Sequence, residues 1–111
     1  MQIRFADAKL EKVLSVEKTL NKAYGQRMAK RLKTGLAVLM AADDLSGVPT
    51  QGSIRCHQLK ADRDEQFAID LEHPRRLVFE VDQNPIPRLE GGGIDKASVT
   101  RIVVIEIIDY H

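Results

Sequence analysis

The apolar positions of this chain change period once, near residue 53. Before that point the spacing is helical. Leu10, Val13 and Leu14 follow Asp7, a side chain suited to capping a helix N-terminus, and predict a helix of about two turns. From Tyr24 the apolar residues run Tyr24, Met28, Leu32, Leu36 and Leu39. These i+4 and i+3 steps predict an amphipathic helix over about 19–42, which DDLSGVPTQGS ends. Ahead of both helices MQIRF alternates, with Ile3 and Phe5 on one side, as a short edge strand does.

After residue 53 the period is two. IRCHQLK reads as a strand, QFAIDL sets Phe67, Ile69 and Leu71 on one side, and RRLVFEVD does the same with Leu77, Phe79 and Val81. EHP between the last two marks a hairpin turn. Residues 82–100 have no apolar period and predict a long loop. In RIVVIEIIDYH, Val103, Ile105 and Ile107 alternate with Ile102, Val104 and Ile108, as in a central strand covered at least in part on both sides. The order predicts an α+β fold: a short N-terminal strand, two helices, then a mainly antiparallel four-stranded sheet with the helices on one face. The 111 residues suit one domain, 1–111, and five aromatics without Trp imply a core of Leu, Ile and Val.

Composition sharpens this in three places. No apolar run approaches the 18 residues of a membrane span, and MQIRFADAKL lacks a signal-peptide apolar region, so a cytoplasmic protein is expected. The one cysteine, Cys56, excludes an intrachain disulfide and reads as a small hydrophobe in a strand. The formal net charge of +1 hides an asymmetry: residues 1–60 carry eleven Lys and Arg against five Asp and Glu, a net of +6, and residues 61–111 carry six against eleven, a net of −5. A basic half suits a polyanionic partner; it also suits a well-solvated helix, and both readings stand at this point.

Few side chains are candidates for chemistry. His57 shares the parity of Leu59, which makes it a core histidine unless a bulge turns it outward; Lys60 and Arg63 follow in a turn. Arg76 lies opposite Leu77 and Phe79, on the open side of the sheet, where it is either a solvated arginine or an anion ligand. Asp109, Tyr110 and His111 are either a frayed end or groups projected by a rigid strand. Gly91–Gly93 lack the flanking strand, helix and lysine of a phosphate loop and read as plain flexibility, and His73 falls in a solvated turn. There is no HxxxH, CxxC or HxH spacing, and a metal site from His57, His111 and Asp109 would rely wholly on folding to assemble, so neither metal nor cofactor is expected.

Taken in order, YGQRMAKRLKTGLAVLMAADDL, RCHQLKADRDEQFAIDL, RRLVFEV and VVIEIIDYH resemble the long basic helix, the His-bearing strand-turn-strand, the Arg-bearing strand and the Asp-Tyr-His end of the HigB-type killer toxins of the RelE/ParE superfamily. The resemblance implies a type II toxin that cuts messenger RNA on the ribosome. It implies a HigA-type helix-turn-helix antitoxin as partner, contact with DNA only through that antitoxin, and no membrane. Position by position, it implies a catalytic set of His57, Lys60, Arg76, Asp109, Tyr110 and His111, with Arg63 beside it. Arg27, Lys30 and Arg31, off the apolar stripe, and Arg75 would meet RNA. Two departures stand out: Arg75 precedes Arg76, so either arginine could meet phosphate, and the 82–100 loop is longer than in the shorter toxins, where it would shield the site or reach the ribosome. The residue types suit metal-free cleavage, in which a base takes the 2′-OH proton, an acid protonates the leaving 5′-oxygen and cations surround the phosphorane. The alternative from another class is a ParE-like toxin that binds DNA gyrase without cutting anything, or an inactive binding relative.

Overall fold

The two periods build two layers. A computed structural model describes residues 1–109; Tyr110 and His111 lie outside the described residues. Helix α1 (Ala8–Ser15) starts where the predicted cap does its work, the Asp7 carboxylate accepting from the Leu10 amide at 2.7 Å. Helix α2 (Glu17–Ala41) carries the predicted stripe, with Met28, Leu32 and Leu39 buried and Tyr24 and Leu36 packed against the core. It also starts earlier than the stripe indicates and is interrupted at Gly25, whose φ of +78° is left-handed and suits glycine. Gly35 serves a different purpose. A Cβ there would come within 2.7 Å of the Ile69 Cδ1, so the missing side chain lets α2 lie close to the sheet.

The sheet runs in the order β1 (Gln2–Phe5), β5 (Arg101–Asp109), β4 (Arg75–Val81), β3 (Gln66–Asp70), β2 (His57–Gln58). The four strands after the helices are antiparallel neighbours, and the N-terminal strand joins them at one edge, parallel to β5. One face is covered. Phe67, Ile69, Leu77, Phe79, Ile102 and Val104 form its core with residues of both helices, and the Phe67 and Phe79 rings stack at 5.8 Å. The other face carries only a small apolar cluster of Leu59, Ala68 and Val78, edged by Ile105 and Ile108.

Three local departures from the sequence reading matter for the site. The ladder keeps only His57 and Gln58 of IRCHQLK, because Arg55 (φ 42°) and Ala61 (φ 58°) are left-handed and interrupt the extended chain on either side. Strand β5 carries a bulge: Val78 faces Glu106 and Phe79 faces Val104, leaving Ile105 as the extra residue. The bulge explains the two apolar faces of that strand. It moves Ile107 onto the covered side with Ile102 and Val104, and delivers Glu106 and Ile108 to the open side. Residues 82–100 are folded back rather than loose. Ile94 and Val99 are buried, the Gln83 side chain accepts from the Thr100 amide at 2.7 Å, and the Arg88 guanidinium grips Glu65 with bonds of 2.7 and 3.0 Å. Arg88 holds the Glu65 carboxyl below the usual carboxylate range.

Candidate active site

The open face of the sheet gathers charge around its small apolar cluster. On β2, β3 and β4 the residues opposite the core parity are His57, then Gln66, Ala68 and Asp70, then Arg76, Val78 and Glu80. Alternation therefore places His57 beside Leu59, as the sequence has it, but that shared side is the open one and no bulge is needed to turn the ring outward. Cys56 takes the core side instead, and burial pushes its thiol up to about 11.

A cleft of about 590 Å³ opens here, lined by Arg55, His57, Lys60, Arg63, Arg76 and Ile108 among others. The geometry around the imidazole is specific. His57 Nδ1 lies 2.8 Å from the Arg55 carbonyl oxygen, and because a carbonyl can only accept, Nδ1 carries the proton. In the neutral ring that leaves the lone pair on Nε2, which points toward Arg76 Nη1 at 3.4 Å. Asp70 stands between two guanidiniums: it takes two bonds from Arg55, at 2.7 and 3.2 Å, and pairs with Arg76 Nε at 3.4 Å. Lys60 is exposed at the rim and forms no ion pair among the described residues. Arg63 is held by Gln66 at 2.8 Å and by Glu106, from the bulged part of β5, at 2.6 Å.

The structure divides the remaining sequence candidates. Arg75 and Asp109 face each other across β4 and β5 on the parity of Leu77 and pair at 3.2 Å, so the adjacent arginines diverge and Arg76 is the one beside His57. Tyr110 and His111 lie outside the described residues. Arg27, Lys30 and Arg31 line a separate depression with Leu71 and His73. Arg27 is exposed and pairs loosely with Glu72 at 3.5 Å, and Lys30 is exposed, but Arg31 reaches inward to the carbonyls of Ser53 and Leu71 at 3.0 and 3.2 Å. No residue of 82–100 lines the cleft.

Sequence reasoning missed Arg55, Asp70 and Glu106. The first two carry a legible signal, since Arg55 shares the parity of His57 and Asp70 is opposite Ile69 and Leu71. Glu106 carries none without knowledge of the bulge. Among the described residues no group of three His, Cys, Asp or Glu side chains is placed to hold a metal ion.

No protein-family model matches the chain, and a comparison with curated proteins finds no match. Solved structures do match. A YoeB/ParE toxin from Agrobacterium tumefaciens superposes with a TM-score of 0.57 over 100% of both chains, at 14% sequence identity. The fold is shared with that toxin. It is the RelE/ParE-like α+β arrangement that the sequence predicts, and its two faces differ here in the way just described.

Proposed function

We propose that this protein is the toxin of a type II toxin-antitoxin pair and cuts messenger RNA on the ribosome, with the open-face cleft as its site. The observation that carries this reading is the imidazole of His57, fixed through Nδ1 and directing Nε2 toward Arg76 in a cleft rimmed by Lys60 and Arg63. A neutral imidazole in that tautomer is equipped to take a proton at Nε2. His57 accepts the 2′-OH proton, the 2′-oxygen attacks the adjacent phosphorus, and the bond to the 5′-oxygen breaks with a proton supplied by His111. Arg76 and Lys60 offset the negative charge that builds up on the phosphorane oxygens; a lost charge stabiliser of this kind costs roughly 10²–10³-fold in rate. Arg63, tethered to Glu106, borders the RNA, while Arg75 pairs with Asp109 on the opposite parity and holds the end of β5; Tyr110 and His111, outside the described residues, are the remaining members of the proposed set. The partners are a HigA-type antitoxin, the ribosome and its message, met in the cytoplasm; no described helix is long and apolar enough to cross a membrane.

The products test the reaction. Translated message should be cut to fragments with 2′,3′-cyclic phosphate and 5′-hydroxyl ends, in the presence of a chelator, while the same naked RNA survives. Intact message on translating ribosomes, or cutting of naked RNA that stops on chelation, overturns the proposal. The matched toxin's name also carries ParE, which keeps a gyrase-binding reading in second place. Inhibition of DNA supercoiling by the purified protein, without any RNA cleavage, would put it first.

A further inference from the structure

The imidazole and guanidinium that face each other in the cleft are not held by their own strands alone. Arg55 precedes β2 with a φ of 42°, a left-handed conformation that a side-chain-bearing residue adopts rarely and keeps where its surroundings enforce it. That conformation coincides with two bonds. The carbonyl of Arg55 receives Nδ1–H of His57 at 2.8 Å, and its guanidinium is gripped by both oxygens of Asp70, 15 residues on, in the next strand of the sheet. The same carboxylate meets Arg76 Nε at 3.4 Å, on the strand beyond, while Nη1 of that guanidinium faces His57 Nε2 at 3.4 Å. His57, Arg55, Asp70 and Arg76 thus form a closed ring of interactions across β2, β3 and β4.

We infer that Arg55 and Asp70 are positioning residues for the cleft: Arg55 selects the Nδ1–H tautomer of His57 through its carbonyl, and Asp70 fixes both Arg55 and the orientation of Arg76. The inference rests on the reading of the cleft as the cleavage site, but its first half concerns the free protein. Neither residue needs to touch RNA. Asp70 is acceptor-only when ionised, and a carboxylate beside the scissile phosphate would repel it, so its contribution is to orientation. The cleft around His57 is lined by Arg55 ahead of it, Lys60, Asp62 and Arg63 after it and Arg76 from β4, with Asp70 of β3 paired to Arg55 and Arg76, while β5 presents the apolar Ile108 to the cleft.

Two variants separate this role from a merely structural one. Asp70→Asn keeps the size of the side chain and removes the charge that binds two guanidiniums. Arg55→Gly keeps a carbonyl and tolerates the left-handed backbone but removes the guanidinium. Nitrogen-15 NMR of the imidazole in the free protein, at a pH well above the ordinary histidine range, reads the tautomer directly. The wild-type ring should report the Nδ1–H form, and both variants should shift toward a mixture with the Nε2–H form. With ribosome-bound message, both should lower the bound-state cleavage rate by roughly 10- to 100-fold and leave the concentration for half-saturation within about threefold, a fraction of the roughly 10²–10⁴-fold that losing a positioned base costs. Asp70→Glu should recover part of the rate. An Nδ1–H tautomer retained in both folded variants, or a rate unchanged in both, overturns the inference. If the wild-type protein cuts no message at all, the proposed function fails instead, and the NMR result still decides whether Arg55 and Asp70 set the ring.

Discussion

The two faces of one sheet use the same strands for opposite purposes. On the covered face Phe67, Ile69, Leu77 and Phe79 are fully buried in a largely apolar core built with both helices and with Ile54, Ile94 and Val99. On the open face the alternate residues of those strands include Asp70, Arg76 and Glu80 around Ala68 and Val78, and β2 adds His57 at the edge. The covered face contributes stability that does not depend on any single charge. The open face is a set of directional bonds in which each polar atom depends on its partner, and a small apolar cluster under them keeps the strands rigid. A substitution should therefore reveal its face by what it changes: unfolding free energy on one, chemistry on the other.

The largest effect should come from the covered face. Phe79→Ala removes one of two stacked, fully buried rings and should cost about 3–5 kcal/mol of unfolding free energy in denaturant titration, with a fall in soluble yield. A loss below about 1 kcal/mol would mean that the core is not where stability resides. The next largest is alkaline. The Cys56 thiol rises from 9.0 to about 11 because burial disfavours the thiolate. The unfolded chain then releases that proton first, so this contribution is fully present below pH 9 and is lost as pH rises toward about 11, by roughly 2–3 kcal/mol at the upper end. Cys56→Ala should flatten that limb of the stability curve, and the folded wild-type thiol should resist alkylation at neutral pH.

Smaller effects sharpen the comparison on the basic helix. Arg31→Gln loses bonds to the Ser53 and Leu71 carbonyls and should destabilise by about 1–2 kcal/mol. Arg27→Gln with Lys30→Gln should stay within about 0.5 kcal/mol of wild type in stability, yet lower ribosome affinity and flatten its salt dependence by roughly 0.7–0.9 log units for each phosphate no longer neutralised. Equal behaviour of all three positions in both assays would erase the distinction. The smallest effect is acidic. Arg88 depresses the Glu65 carboxyl, so the tie between residues 82–100 and the β2–β3 turn is intact above the ordinary carboxylate range and is lost as pH falls through the lowered value. Hydrogen exchange at Leu89 and Gly92 should quicken below that point in the wild-type protein, and Arg88→Gln should show the quickening already at neutral pH.

Much of this layout is legible in the residues. The helix stripe, the Asp7 cap and the parity of Phe67, Ile69, Leu77 and Phe79 follow from period alone, because each concerns one element and one buried side. The parity of His57 with Leu59 is equally plain, but which side of the sheet that parity faces is not. Leu59 suggests the core, and only pairing with Ala68 reveals that it belongs to the small cluster on the open side. The bulge at Ile105 is invisible for a related reason: a run of Ile and Val reads the same with or without one extra residue, and the partner strand decides. Residues 82–100 show no period because Ile94 and Val99 enter the core singly from irregular backbone. Long-range ion pairs such as Arg55 with Asp70 and Arg63 with Glu106 are set by strand pairing, which a linear reading does not contain.

The division between faces is tested most directly at His57. The measurement is the single-turnover cleavage rate of ribosome-bound message by His57→Gln, taken on protein whose denaturation midpoint matches the wild type. Glutamine keeps a polar side chain of similar reach and cannot act as a base at Nε2. The expected result is a rate lower by roughly 10²–10⁴-fold with unfolding free energy within about 0.5 kcal/mol of wild type. A folded variant that cuts within about threefold of the wild-type rate would contradict the assignment of chemistry to the open face.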